Sequence, residues 1–351
     1  MRGLGPDQPV RVLLLAIPET SGSALYGMVD VLMATGNIWQ TLVGDAQPKR
    51  RFDVRIVSIN KEPFACGHGI PVYPACSIED ACEADLLILP EIWLGPEESI
   101  RGRYDALMAW IQSKYREGLA IYSACSGSVL LAESGLLNNC EATSHWGYQA
   151  MFRTHYPQVR FRPESNLVFA RPDQRLVTAG GTTSWHDLAL HIIARYVDVG
   201  EALRIAKVYL LKWHSEGQLP FAGLVRRTPH ADAVVRRCED WLSDHFNDPH
   251  VIGHLMTTVS LPERTLKRRF KAATGTSLIE HVQNLRVEAA KRLLEEQNQP
   301  VEDVAHAVGY EDISFFRRLF KRLTGLTPGE YRRMFQSLVV SGEADQSIAV
   351  L

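Results

Sequence analysis

Two stretches near the C-terminal end of this chain repeat one pattern: a short apolar helix, a tight turn, and a second helix apolar on one side and basic on the other. In the later copy Val301, Val304, Ala305 and Val308 recur at i, i+3, i+4 and i+7, which makes one buried helical stripe. Gly309 follows where a left-handed residue ends a helix, and Asp312 stands where the next helix needs its cap. In that next helix Phe316, Leu319, Phe320 and Leu323 form the apolar back. Ser314, Arg317, Arg318 and Lys321 share the front, with Phe315 beside them. An apolar back with a basic, hydrogen-bonding front suits a DNA major groove.

The earlier copy is parallel. Ile252, Leu255, Met256 and Val259 make the supporting helix, and Ser260-Leu261-Pro262-Glu263 reads as a turn opening on a capping box. Leu266 and Phe270 anchor the second helix from behind, leaving Arg264, Lys267, Arg268 and Lys271 on the free face with Thr265 next to them. A solvated surface explains one basic helix face. Two with the same internal phasing favour a shared polyanionic partner. Between the copies, Ser277 to Glu296 keeps a helical period through Leu278, Val282, Leu285, Ala289 and Leu293. About 20 residues at 1.5 Å each give about 30 Å, close to the ~34 Å between successive major grooves on one face of DNA. One polypeptide then offers two reading helices to double-stranded DNA without a dimer.

This region, from about Pro229 to Phe335, resembles the AraC/XylS family of bacterial transcription regulators. The resemblance includes the closing run from Phe316 through Gly325, Pro328 and Tyr331 to Arg332. It implies an all-α double helix-turn-helix domain over residues 230–336, with a last helix bracing the second motif. Pro262 departs from the family, which usually carries a small capping residue there.

The near-balance of 38 basic and 40 acidic side chains hides this local asymmetry. A DNA-binding protein needs to be basic only where it meets phosphate. Six cysteines without CxxC spacing argue for a reducing cytoplasm and against a structural metal, and no cofactor or metal is expected. No stretch approaches the ~18 apolar residues of a membrane span, so no membrane partner is expected.

The first two hundred residues alternate strand-length apolar runs with helical patterns, the mark of a parallel α/β sheet. Val10–Ile17, Val54–Ile59, Asp85–Leu89 and Leu119–Tyr122 read as strands. A helix is expected after the first, up to about Trp39, and another over Tyr104–Glu117. Directly after the last strand comes Ser123-Ala124-Cys125-Ser126-Gly127, a strand, sharp turn and helix start that lifts Cys125 over the carboxyl edge of the sheet. The helix start there favours a thiolate or a bound anion. A small buried residue filling a tight turn is the plainer reading of Cys125.

Residues 9–212 resemble the PfpI-type, class I glutamine-amidotransferase-like superfamily. The likeness runs through the Cys125 elbow, Glu133-Ser134-Gly135, Ala142 to Trp146, and Val177 to His191. It implies a flavodoxin-like three-layer α/β sandwich. Such a domain followed by an AraC-type domain is the arrangement of GlxA-like regulators. Active members of the superfamily pair the elbow cysteine with a carboxylate from the loop after the first strand. Here Ala24 falls at that position, with Glu19 the nearest acid in the loop. Ser126 stands where hydrolase-like members often carry His. His145 is the candidate base or pocket wall, and Asp187 is read as a cap or pocket wall.

The expected ligand pocket is therefore Ser21, Ser23, Cys125, Ser126, His145, Trp146, Gly181 and Thr182, built for sensing rather than turnover. The resemblance implies a small-molecule effector of the nitrogen-containing kind, a homodimer through the first domain, and RNA polymerase as partner if the chain activates. The alternative is a cysteine-dependent amidase, hydratase or glyoxalase-like enzyme tethered to DNA, which an acid beside Cys125 would favour. Residues 213–229, rich in Gly and Pro, are expected to be a linker, and 337–351 a mobile tail. Trp39, Trp93 and Trp110 are expected in core or interface packing.

Overall fold

A computed structural model describes residues 8–44, 47–80, 82–95, 98–224 and 230–336. The chain divides between Gln218 and Leu219 into two units.

The strands of the first unit are β1 (Val10–Leu15), β2 (Phe52–Ser58), β3 (Phe64–Cys66), β4 (Ile70–Val72), β5 (Cys76–Ser77), β6 (Leu86–Leu89), β7 (Ala120–Ala124), β8 (Glu141–Ala142), β9 (Arg160–Phe161), β10 (Leu167–Phe169) and β11 (Leu176–Ala179). Seven of them form one sheet in the order β10-β11-β7-β6-β1-β2-β5, parallel except for β10. Its helices are α1 (Gly22–Ala34), α2 (Ile38–Val43), α3 (Asp105–Arg116), α4 (Gly127–Glu133), α5 (Gln149–His155), α6 (Trp185–Tyr196) and α7 (Val199–Val208). Helices on both faces bury alternate side chains of the same strand on opposite sides, so central strands read as unbroken apolar runs. In β1, Val12 and Leu14 join the core under α1 and α6, while Leu13 and Leu15 join the core with α3 to α5. The first helix is shorter than its apolar pattern suggests. Gly36, at φ +77°, separates α1 from α2.

The second unit contains α8 (Ala233–His245), α9 (Val251–Val259), α10 (Glu263–Thr274), α11 (Leu278–Glu296), α12 (Val301–Ala307), α13 (Ile313–Thr324) and α14 (Pro328–Phe335). The nineteen residues of α11 serve two cores. Leu278 and Val282 pack with Leu255, Leu266 and Phe270 of the first motif. Val287, Ala290 and Leu294 pack with Val304, Phe316, Phe320 and Tyr331 of the second. Ser277 and Glu280 form a reciprocal capping box at its start, and Thr327 and Glu330 do the same for α14.

Three expectations are corrected. No capping box opens α10: Pro262 is its N-cap with no side-chain hydrogen bond, and Ser260 ends α9 in a left-handed conformation at φ 52°. Proline presets the entry angle and has no N–H or polar side chain to offer. Residues 213–218 are no linker. His214 donates its backbone N–H to Asp187 at 3.1 Å, and Gln218 is buried within the first unit. Residues 219–224 in turn bond to α11, the Leu224 N–H reaching Glu288 at 2.8 Å. The rest of the expected linker and the expected tail lie outside the described residues. Trp93 is 67% exposed rather than packed in a core.

Candidate functional site

The carboxyl ends of β1, β6, β7 and β11 lie side by side, and the loops leaving them carry Ser21 and Ser23, Glu91, Cys125, and Gly181 with Thr182. Cys125 follows β7 directly and holds φ +51°, a left-handed conformation costing a non-glycine residue about 1–2 kcal/mol. Its N–H donates to the Ala179 carbonyl at 3.0 Å, and its carbonyl accepts the Ser144 hydroxyl at 2.8 Å. These bonds hold the strained elbow in place. Gly127 is required two residues on: a Cβ there would stand 2.3 Å from the Leu89 carbonyl oxygen and 2.5 Å from that of Pro90. The start of α4 is thereby pressed against the loop that follows β6.

That loop supplies an acid, Glu91. The Cys125 thiol donates to Glu91 Oε1 at 3.6 Å, and the Thr182 hydroxyl donates to the same oxygen at 3.2 Å. The acid beside the cysteine comes from the loop after β6, and Ala24 is a fully buried core residue of α1. Glu19 turns elsewhere, accepting from Arg103 at 2.9 Å and from the Tyr104 hydroxyl at 2.6 Å. Ser126 does not present a free hydroxyl. It accepts the Ile92 N–H at 3.0 Å and donates to the Ile92 carbonyl, which fixes the backbone beside Glu91. Ser21 holds the same residue through its N–H, 2.9 Å from the Glu91 carbonyl, and its hydroxyl lies 3.2 Å from that of Ser23.

Burial governs the electrostatics here. Glu91 is 4% exposed, and its Oε2 is among the buried oxygens without a hydrogen-bond partner. Loss of solvation raises its pKa above the usual carboxylate range. The Cys125 thiol is pushed up to about 12, first by burial and then by the neighbouring Glu91 charge. The expectation that the start of α4 would stabilise a thiolate is overturned, because desolvation outweighs it. An acid is present beside the thiol, and its charge adds to the rise that burial produces.

His145 stands against Gly181, its Cδ2 3.7 Å from where a Cβ would be. Its Nδ1 accepts the Gly147 N–H at 2.9 Å. The neighbouring Trp146 is held through its N–H, 3.1 Å from Gln218 Oε1. The Gln218 amide also donates to Thr143 Oγ1 at 3.1 Å and to the Ser144 and Ser165 carbonyls, both at 2.9 Å. Gln218 therefore seats the loop bearing His145 and Trp146. Nothing in its local sequence signals this, because it arrives from a distant part of the chain. Glu91 was findable: it follows a strand directly, where open α/β sheets place their binding groups. Asp187 is neither cap nor pocket wall. It accepts from the Asn166 side chain at 2.5 Å and lies 2.8 Å from His214 Nδ1.

In the second unit the two basic faces are exposed as their phasing requires. Phe316, Leu319 and Phe320 are buried, whereas Ser314, Phe315, Arg317, Arg318 and Lys321 are exposed on α13. Asp312 caps this helix, accepting the Phe315 N–H at 2.9 Å. On α10, Leu266 and Phe270 are fully buried; Arg264, Arg268 and Lys271 are exposed, while Thr265 and Lys267 are half-buried. Some of these cations have local partners: Arg317 lies 2.5 Å from Glu302, and Lys267 pairs with Glu263 one helical turn earlier. Such exposed pairs are weak and exchange readily for phosphate. Arg269, not assigned from the sequence, pairs with Asp232 at 2.5 Å.

Among the described residues no group of His, Cys, Asp and Glu is placed to hold a metal, and no helix is long and apolar enough to cross a membrane. Residues 11–195 match the DJ-1/PfpI family, and residues 255–334 match a helix-turn-helix domain. The chain is similar to the HTH-type transcriptional regulator CdhR of Pseudomonas aeruginosa, 26% identical over 283 residues, covering 79% of this chain and 80% of that protein. It is also similar to the regulator GlxA of Rhizobium meliloti, 27% identical over 223 residues, covering 62% of this chain and 66% of that one. A third relative, the regulator GbdR of Pseudomonas aeruginosa, is 22% identical over 282 residues, covering 79% and 74%.

Proposed function

Since the chain belongs to the DJ-1/PfpI family and continues into a helix-turn-helix domain, we propose that it is a DNA-binding transcription regulator whose first unit senses a small effector. The observation that carries this is the duplicated motif. In both copies the apolar back is turned inward and the basic front is exposed, with Arg264, Arg268 and Lys271 in one and Arg317, Arg318 and Lys321 in the other. The similar proteins named above are all HTH-type regulators.

The effector site is the cluster of Cys125, Glu91, Thr182, Ser21 and His145 at the carboxyl edge of the sheet. A buried, solvent-deprived thiol beside an acid that raises its pKa favours binding over turnover, which weighs against the tethered amidase, hydratase or glyoxalase. A small nitrogen-containing ligand suits the site, since an N–H donor would satisfy the unpartnered oxygen of Glu91. The exposed apolar side chains Leu42 and Val43 on α2 and Val199 and Leu203 on α7 support a homodimer through the first unit. A cytoplasmic location follows from the DNA-binding role.

The test is selection of duplexes from a random-sequence pool by the full chain. Enrichment of a defined sequence whose affinity falls steeply with salt is the expected result. Binding with no sequence preference, or hydrolysis of an amide or ketoaldehyde that is lost in Cys125→Ser, would overturn the regulator reading.

A further inference from the structure

Arg286 stands midway along α11, between its contributions to the two cores, and is only 8% exposed. Its guanidinium serves neither core as an apolar filler. Nε donates to the Phe246 carbonyl at 2.7 Å and Nη2 to the Asp248 carbonyl at 2.8 Å, both in the loop that runs from α8 into α9, the supporting helix of the first motif. The same guanidinium lies over the ring of Tyr310, 4.8 Å from its centroid, in the turn joining α12 to α13 of the second motif. One cation thus joins the loop that leads into the first motif to the turn of the second.

Further observations bear on this junction. Gly309, at φ +88°, brings the second turn so close that a Cβ would stand 2.3 Å from the Asn247 carbonyl oxygen and 3.1 Å from Arg286 Cζ. Phe246, from the first motif's loop, packs into the core of the second motif. Away from Arg286, α13 also meets the first half of α11, where the Arg322 guanidinium donates to Gln283 Oε1 at 3.2 Å. An open cleft of about 570 Å³ lies between the end of α10, the start of α11 and the end of α13, bordered by Thr276, Gln283 and Arg322. Tyr310 also abuts Phe315 and Phe316 at the head of the reading helix, ring centroids 5.8 and 5.6 Å away.

We propose that Arg286 is the positioning residue that sets the spacing and phase at which the two motifs read DNA, so that the operator must carry its two boxes at one fixed separation. This rests on the DNA-binding reading above. With the arginine replaced, each motif keeps its own core and its own basic face, but the hinge between them is released. One added base pair between boxes shifts the second by about 3.4 Å and about 34°, which a rigid pair cannot follow.

The experiment takes the full chain and a duplex enriched by it from a random 40-base-pair pool, together with versions carrying one or two extra base pairs between the boxes or one scrambled box. For the wild type, one added base pair should reduce affinity at least about tenfold. In Arg286→Met, which keeps length and burial but removes the donors, that penalty should shrink to about threefold or less, with binding to the one-box duplex retained. Gly309→Ala attacks the same junction from the opposite turn and should flatten the spacing dependence likewise. A wild-type penalty that both variants retain overturns the proposal alone. Equal loss of one-box binding in both variants reduces Arg286 to a folding residue and also overturns it. A wild-type chain that enriches no duplex overturns the DNA-binding reading and this proposal with it.

Discussion

At the scale of single residues, burial dominates both Cys125 and Glu91. Each is nearly excluded from water and burial raises the pKa of each; the Glu91 charge pushes the thiol further up, whereas the thiol's hydrogen bond draws the Glu91 carboxyl back down. Glu91→Gln keeps the volume and an acceptor for Thr182 while removing the charge. The Cys125 thiol pKa should fall, and alkylation by iodoacetamide at neutral pH should accelerate several-fold; an unchanged or slower rate would contradict the pairing. The same substitution has a pH signature. A carboxyl whose pKa is raised on folding stabilises the fold most while protonated, and that advantage drains away as pH rises from its ordinary 4.5 through the raised value. Denaturant midpoints should therefore decline with pH over that window in the wild type relative to Glu91→Gln, and the two curves should run parallel outside it.

At the scale of elements, α10 and α13 each keep an apolar back and a basic front. On α13 the cap is separable from the reading face. Asp312→Ala removes the acceptor for the Phe315 N–H and should cost about 1 kcal/mol of stability, measured by denaturant unfolding of the full chain. Arg318→Ala leaves the core intact, since Arg318 is exposed. If it reads a base edge, it should lose ~1–3 kcal/mol on the selected duplex and relax preference at one position. Lys271→Ala, assigned to phosphate, should weaken every sequence alike and lower the salt slope by about one. Equal losses on selected and random DNA for Arg318→Ala would refute base reading by that side chain.

At the scale of the whole molecule, the chain changes unit at Gln218, six residues later than the Gly and Pro content of 213–229 indicates. Those six residues satisfy buried groups: His214 meets Asp187, which is wholly buried, and Gln218 meets Thr143, Ser144 and Ser165. A fragment ending at Lys212 should be less stable than one ending at Gln218 by at least about 2 kcal/mol, because buried groups left unpaired cost about 1–3 kcal/mol each. Matching thermal midpoints for the two fragments would restore the earlier boundary.

Much of this architecture was legible in the residues alone. The repeated spacing of Val304, Ala305, Phe316 and Phe320 in one copy, and of Leu255, Leu266 and Phe270 in the other, determines both cores and therefore which basic side chains are left outside. Periodicity is local, so it survives without any knowledge of the fold. The elbow at Cys125 was legible for the same reason: strand, turn and helix follow one another in the chain. What only the tertiary structure decided are the partners that meet across long separations. Glu91 lies 34 positions from Cys125, Gln218 arrives 74 positions after Ser144, and Arg286 joins Phe246 to Tyr310. Each of these is a polar side chain whose local sequence permits many environments. Its role is set by which strand ends and loops the packed cores bring beside it, and by burial, which turns an ordinary acid, amide or guanidinium into a group that must find a partner.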